Sequence, residues 1–241
     1  MDIILLKRIE RRIKIILRRI FRVEVGFLRR GWGVQKDRFS YQKEYINFNI
    51  KKGDRAIDIG SGHNPFPLAT HLADFYENKT SHRSGDLVRD GRPFTKCSVD
   101  KTPFENKYFD FVYCSNVLEH VENPAKACEE IMRIGKRGYI ETPTRMSDTM
   151  FNFTSIRNHH KWFIEKLGKS LIFMEFDDEK MRDTQIGYFF EQFQSEWKNP
   201  FQDLVRNNQD IFYNMFLWEE IFYYYVFDKD GELVSSNKGI K

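Results

Sequence analysis

Residues 55–67, RAIDIGSGHNPFP, join a short apolar run to a turn of small residues, and this junction restricts the folds open to the chain. The run RAIDI predicts a buried strand, and Gly60, Ser61 and Gly62 follow it directly. Such a turn lets a ligand approach the backbone closely. The third glycine of a dinucleotide fingerprint is missing, and no Gly-Lys-Ser/Thr follows, which excludes a P-loop. By itself, the turn fits either a cofactor site or a tight loop.

Strand-like and helix-like segments alternate beyond residue 55, and this alternation predicts an α/β fold. The earlier strand candidates are 55–59, 69–74, 95–99, 109–114 and 136–143, with a helix at 123–134. Later candidates are strands at 170–176 and 221–227, a hairpin partner at 232–234, and helices at 191–197 and 210–220. We predict a Rossmann-like, mostly parallel seven-stranded sheet, completed by the later strands, one of them antiparallel at the edge. The domain spans residues 51–241, with an aromatic-rich elaboration after residue 143.

Residues 1–25 predict a basic amphipathic helix that precedes this domain. Residues 1–30 carry ten lysines and arginines against three acidic residues, whereas the whole chain has a net charge of +4. No apolar run in this segment exceeds four residues, which excludes a membrane-spanning helix. A cationic face opposite an apolar stripe favours an anionic membrane surface, and packing on the domain or contact with nucleic acid are the alternatives. Residues 26–50 are predicted to form a linker and a helix that leads into the main domain.

Three stretches between residues 53 and 143 carry a family likeness: AIDIGSG, SVDKTPFENKYFDFVYCSNVLEHVENP and KRGYIETP. In order and spacing they resemble the class I S-adenosylmethionine-dependent methyltransferases. The likeness is greatest to the small-substrate type (methyltransferase type 11-like), whose fourth strand runs into LEHV. The resemblance implies an enzyme that uses S-adenosyl-L-methionine as its cofactor.

The resemblance also implies which residues hold the cofactor. Asp58 and the turn Gly60, Ser61 and Gly62 would flank the methionine end. Ser115 and Asn116, just past the fourth strand, would line the floor near the methyl group.

The other end of the cofactor has its own candidates. Asp74 would accept the ribose hydroxyls, and Asp100 would accept from the adenine amino group with Lys101 beside the ring. Only 16 positions separate Asp58 from Asp74, which leaves little room for the helix that this family places there. Asp86 is therefore a rival partner for the ribose.

A hydroxyl acceptor needs a base, and histidine is the side chain best matched to neutral pH. The candidates are His120 with Glu119, and the pair His159 and His160. The alternative role of His120 is to cap a helix, and the alternative for the pair is a polar surface loop. Some related enzymes bind a divalent metal through an E-x-x-E-H motif. Here Asn116 replaces the first carboxylate, so no metal is expected.

The sequence thus predicts a methyltransferase that O-methylates a membrane-associated acceptor, such as a lipid-linked or cell-surface glycan precursor. A quinone, a lipid or another small molecule is the alternative acceptor. Two further alternatives for the function are an RNA methyltransferase and a non-catalytic module that binds S-adenosylmethionine. Three scattered cysteines fit a reducing compartment. We therefore predict a cytoplasmic protein that is peripheral at the inner face of the cell membrane.

Overall fold

The computed structural model describes residues 38–80, 83, 85–151, 160–176 and 207–239. The predicted basic helix at 1–25, His159 and the predicted helix at 191–197 lie outside the described residues. The helices are α1 (Arg38–Tyr45), α2 (Pro124–Ile134), α3 (Arg145–Phe151) and α4 (Gln209–Phe212), with a 3-10 turn at Leu118–His120. The strands are β1 (Ala56–Ile59), β2 (His71–Asp74), β3 (Phe94–Lys96), β4 (Phe111–Ser115), β5 (Arg137–Pro143), β6 (Trp162–Leu167), β7 (Ser170–Glu175), β8 (Tyr213–Glu219), β9 (Tyr223–Phe227) and β10 (Leu233–Ser236).

The main sheet has the strand order β3-β2-β1-β4-β5-β8. The first five strands are parallel, and β8 runs antiparallel to β5 at the edge. The predicted α/β class, with a mostly parallel sheet and an antiparallel edge strand, is confirmed. The described residues place six strands in this sheet, where seven were predicted.

The edge strand corrects a second prediction, because it lies in the segment 210–220 that was expected to be helical. Only Gln209–Phe212 is helical, and the chain then extends as β8. Phe216 and Trp218 are buried, whereas Leu217 between them is exposed. This alternation has the period of a strand, which a short, continuous apolar run conceals.

A second sheet, with the order β10-β9-β7-β6, contains the two later strands that were predicted to complete the main sheet. Both segments are strands, but β7 pairs in parallel with β9 instead. The predicted hairpin is confirmed, since β9 and β10 are antiparallel. The second sheet contacts α2, where the Tyr224 hydroxyl donates to Glu129 Oε1 at 2.6 Å.

Two cores cover the two faces of the main sheet, because neighbouring residues of a strand point to opposite faces. Val112 and Cys114 pack with α2 and the second sheet in one core, and Phe111 and Tyr113 belong to the other, with α1. In the second core the rings of Phe66 and Tyr113 stack with their centroids 4.1 Å apart. Phe66 thereby fixes the end of the loop that follows β1.

In the part of the chain that the structure describes, no helix is both long and apolar enough to cross a membrane.

Candidate functional site

A cavity of about 720 Å³ opens at the carboxyl ends of the parallel strands. The strand order reverses between β1 and β4, and such a reversal leaves a crevice in which open α/β sheets bind ligands. The volume falls within the range of small-molecule sites, about 300–1,000 Å³. Its lining includes Gly60, Ser61, Gly62, Asp74, Asp100, Ser115, Asn116 and His120. Eight of the residues predicted from the sequence therefore face one space.

The glycine turn offers a ligand space close to the backbone, whereas its first two N–H groups already donate within the protein. The N–H groups of Gly60 and Ser61 both donate to the carbonyl oxygen of Ala73, at 2.8 and 3.1 Å. Gly60 has φ +76°, and a Cβ added there would lie 2.2 Å from Cγ2 of Val117. Ser61 Oγ is buried and has no hydrogen-bond partner among the described residues. The turn thus offers a ligand close approach and one unpaired hydroxyl.

Asp58 lies outside the cavity lining, although it was predicted to flank the cofactor. The side chain is 2% exposed, and Oδ2 accepts from the N–H of Phe66 at 2.7 Å. Burial raises the pKa of Asp58 to about 7, against the opposing effects of that hydrogen bond and of Arg38. In this structure the carboxyl ties the residue that ends the loop back to β1, so it supports the turn from behind.

The raised pKa of Asp58 predicts a pH-dependent stability. A carboxyl whose folded pKa exceeds its unfolded value of about 3.9 stabilises the fold at low pH, and this contribution is lost as the pH rises through about 7. The free energy of unfolding of the wild type should fall relative to that of Asp58→Asn by on the order of 3 kcal/mol between pH 4 and 8. Asparagine keeps the acceptor for Phe66 but cannot ionise. Urea unfolding of both proteins across this range measures the difference, and parallel curves would contradict it.

Asp74, rather than its rival Asp86, faces the cavity. Oδ2 of Asp74 accepts from the N–H of Gly62 at 2.9 Å, and Oδ1 accepts from the N–H of Tyr76 at 2.8 Å. Arg83 lies 4.0 Å from the same carboxylate and also donates to the carbonyl oxygen of Tyr76. The side chain of Asp86 is 82% exposed, forms a salt bridge with Lys79 and is not part of the cavity lining.

Asp100 lines the cavity, but β3 ends earlier than predicted. The strand stops at Lys96, and Ser98 then pairs with Lys101 across a turn. Within this turn the hydroxyl of Ser98 donates to Oδ1 of Asp100. Lys101 is exposed and does not line the cavity, so the structure does not place it beside Asp100 at the site.

Ser115 and Asn116 form part of the cavity lining and connect it to a buried polar network. Ser115 Oγ donates to Oε1 of Glu141 at 3.0 Å and accepts from Nη1 of Arg38 at 3.3 Å. Glu141 also accepts from Nε2 of Gln42 at 2.6 Å. The network ties α1 to the ends of β4 and β5.

Sequence reasoning missed Arg38, which lines the cavity from α1. Its Nη2 donates to the carbonyl oxygen of Asn64 at 3.2 Å, and its Nε has no partner among the described residues. The sequence around residue 38 contains no motif that singles out this arginine among its many basic neighbours. Only the packing of α1 brings it to the site.

Three of the four predicted acceptor-side residues, Glu119, His120 and His160, lie together at one wall of the cavity, and the fourth, His159, lies outside the described residues. His120 lines the cavity, and Glu119 and His160 are buried behind it. The rings of His120 and His160 are 4.8 Å apart, and Nδ1 of His160 lies 2.7 Å from Oδ1 of Asp148. Burial raises the pKa of Glu119 well above its ordinary value and that of Asp148 to about 8. Asp148 is a member of this cluster that the sequence did not indicate.

Comparison with known proteins bears on this site. Residues 57–140 match a family model described as a methyltransferase domain, and no curated protein matches the chain. Among solved structures, the chain is similar to a SAM-dependent methyltransferase from Thermotoga maritima (21% identity, 38% of this chain and 45% of that chain, TM-score 0.33). It is also similar to the YcgJ protein from Bacillus subtilis (15% identity, 47% of this chain and 57% of that chain, TM-score 0.34). A further similar structure is the PH0226 protein from Pyrococcus horikoshii (16% identity, 53% of this chain and 68% of that chain, TM-score 0.39). The chain spans about half the length of the first two structures.

The family match runs from β1 into β5 and includes the ends of β1 to β4 that line the cavity. The predicted resemblance to S-adenosylmethionine-dependent methyltransferases is confirmed for this part of the chain, together with the enzyme class and S-adenosyl-L-methionine as the cofactor of the domain. The roles of the individual site residues and the LEHV subtype stay predictions.

Proposed function

We propose that this chain transfers a methyl group from S-adenosyl-L-methionine to a hydroxyl oxygen of a membrane-associated acceptor. The observation that carries the methyl-transfer part is the cavity in which the glycine turn, Asp74 and Asp100 face the same space. The acceptor that we favour is a lipid-linked or cell-surface glycan precursor. Its support is the charge pattern of residues 1–25, which fits an anionic membrane surface.

The residues present fit the cofactor. The carboxylates of Asp74 and Asp100 can accept hydrogen bonds from hydroxyl and amino groups, and Ser61 Oγ offers a further polar contact. Any side chain at Gly60 would press on Val117, another cavity residue, so the turn keeps its space clear. When bound, S-adenosyl-L-methionine supplies the methyl group on a sulfonium that serves as the leaving group.

The protein has two further tasks, which are alignment of the acceptor and removal of its hydroxyl proton. We assign the second task to the wall formed by Glu119, His120 and His160. His120 is the member that reaches the cavity surface. Lys161 and Glu122 also line the cavity there, where they pair with each other, and thereby give the acceptor side a polar rim.

A labelled-methyl assay with the full chain tests the proposal. With S-adenosyl-L-methionine carrying a labelled methyl group, we expect label to enter the glycolipid fraction of a membrane extract. Label in the quinone or phospholipid fraction would replace the acceptor, and label in RNA would replace the class of substrate. Calorimetric titration that detects no binding of S-adenosyl-L-methionine would reject methyl transfer altogether.

A charge-reversed pair tests the membrane part. Because each basic residue near an anionic surface contributes about 1 kcal/mol, Arg11→Glu/Arg12→Glu should weaken sedimentation with phosphatidylglycerol vesicles by at least about tenfold. Lys51→Glu/Lys52→Glu changes the charge equally at two exposed lysines outside the segment, and it should sediment as the wild type does. Equal sedimentation of all three proteins would remove the membrane from the proposal and leave the methyl transfer intact.

A further inference from the structure

We propose that Glu119, His120 and His160 form a binding site for a divalent transition-metal ion in the wall of the cavity. No metal was expected from the sequence, because Asn116 stands where a motif carboxylate would be. The third ligand comes instead from a residue 40 positions beyond His120, which only the fold brings near.

The three side chains are close enough to share an ion. One potential ligand atom from each lies within 4.8 Å of the others. Atoms bound to one zinc ion at about 2.0–2.2 Å must lie within about 4.4 Å of one another, so small side-chain rotations complete the site. Oε1 of Glu119 is already 3.9 Å from Nε2 of His120.

The backbone holds the two contributing segments together. The N–H of Lys161 donates to the carbonyl oxygen of Glu119 at 2.7 Å. The indole Nε1 of Trp162 donates to the carbonyl oxygen of Val121, also at 2.7 Å. These bonds fix the two residues that follow His160 against the 3-10 turn that carries Glu119 and His120 and against Val121, which follows that turn. Backbone contacts between the two segments therefore hold the three side chains of the cluster close together.

Glu119 supplies an independent indication that this wall binds a cation. Its side chain is 1% exposed, and Oε2 has no hydrogen-bond partner among the described residues. Among the described residues, its ion pair is with His120. A buried carboxyl oxygen without a hydrogen-bond partner is unfavourable, and a bound divalent ion would both contact that oxygen and compensate the charge of the ionised group.

Asp148 completes the arrangement behind His160. Its carboxylate engages Nδ1 of His160 at 2.7 Å, and both side chains are buried. Nε2 is thus the ring atom that His160 can offer to an ion. A carboxylate that accepts a hydrogen bond from the far nitrogen of a histidine orients the ring and strengthens it as a metal ligand.

The ligand set selects the kind of ion. Two imidazoles and one carboxylate suit Zn²⁺, Co²⁺ or Fe²⁺ better than Mg²⁺ or Ca²⁺, which prefer oxygen ligands throughout. Three protein ligands leave a coordination position open, and His120 places it beside the cavity. There the ion would be the means by which this wall removes the proton of an acceptor hydroxyl: it would lower the pKa of that hydroxyl, and the proton would leave to solvent, because a liganded His120 cannot accept it. This role rests on the proposed function, whereas metal binding itself does not.

Titration of the metal-free full chain with Co²⁺ tests the site, because the visible spectrum of Co²⁺ reports its ligands. We expect the wild type to bind a single ion, and Glu119→Gln, His120→Gln and His160→Gln each to weaken binding at least about tenfold. Asp148→Asn, which removes only the supporting carboxylate, should weaken binding about tenfold as well.

Two matched controls should bind Co²⁺ as the wild type does. Glu122→Gln removes an exposed carboxylate next to the cluster, and His71→Gln removes a histidine on β2. Equal affinity in the wild type and in His120→Gln, whose side chain is only partly buried, would overturn the proposal, as would a wild type that binds no Co²⁺. Calorimetry with S-adenosyl-L-methionine on the same samples confirms folding and tests the proposed function separately, since Co²⁺ binding without cofactor binding would contradict only the latter.

Discussion

Replacement of Gly60 by alanine is expected to abolish cofactor binding. Gly60 adopts φ +76°, and a new Cβ would lie 2.2 Å from Cγ2 of Val117, closer than real Cβ contacts allow. Val117 and the turn both line the cavity, so relief of this contact must deform the site. We expect the affinity for S-adenosyl-L-methionine to fall at least about 100-fold and the free energy of unfolding to fall by about 2–4 kcal/mol. Calorimetric titration and urea unfolding measure the two effects.

Gly53→Ala separates backbone strain from the steric contact. Gly53 also has a positive φ, +98°, but an added Cβ there meets nothing within 4 Å. This variant should lose only about 1 kcal/mol of stability and keep its cofactor affinity. In Gly60→Ala/Val117→Ala the clashing methyl is gone and the nearest remaining atom is 3.6 Å away, so part of the affinity should return. Wild-type affinity in Gly60→Ala alone would show that the cofactor does not use this turn.

The elements nearest the cavity were the ones that the sequence predicted best. Buried parallel strands are short apolar runs bounded by turns, and the predicted segments 55–59 and 109–114 contain or overlap β1 and β4. The helix at 123–134 was predicted almost to the residue, because Pro124 marks its first turn and Asn123 caps it. In each case the deciding signal is local.

The errors lie where pairing between distant segments decides the structure. The segment 210–220 has an apolar run that fits a helix or a strand, and its pairing with β5 selects the strand. The predicted strands β7 and β9 are real, but they pair with each other, although residues 176–222 separate them in the sequence, instead of joining the main sheet. Local patterns do not specify which strand a segment will find.

The same division applies to the site. Asp74 ends β2 and Asp100 lies four residues beyond β3; the resemblance to methyltransferases assigned both to the cofactor, and both line the cavity. Asp58 could not be placed in this way, because every residue of the short β1 is buried and the carboxyl turns to the N–H of Phe66. Arg38 and Asp148 reach the site through the packing of α1 and α3, which leaves no mark on the neighbouring sequence. Contacts between distant segments therefore complete a site whose central residues could be predicted from the local sequence.

Asp74 is the carboxylate whose loss should weaken the cofactor site most. Its two oxygens accept from the N–H groups of Gly62 and Tyr76, so it holds both the turn and the loop that follows β2. In Asp74→Asn, one oxygen becomes an NH₂ group, which cannot accept and faces an amide donor instead. A part-buried donor left unsatisfied costs about 1–3 kcal/mol, to which the loss of the predicted contact with the cofactor's ribose hydroxyls is added. The expected result is a loss of at least about 100-fold in affinity for S-adenosyl-L-methionine.

Asp86→Asn is the matched control for Asp74→Asn, since it makes the same chemical change in the rival carboxylate. The side chain of Asp86 is largely exposed, and its salt bridge with Lys79 spans 4.0 Å at the surface, where such pairs contribute less than about 1 kcal/mol. Calorimetric titration should therefore give this variant nearly wild-type affinity. The opposite ranking, with Asp86→Asn the weaker binder, would assign the ribose to Asp86. Asp74 would then serve only contacts within the protein, with the N–H groups of Gly62 and Tyr76 and with Arg83. In that case Asp74→Asn should lower the stability of the protein, and its affinity for the cofactor should fall less than that of Asp86→Asn.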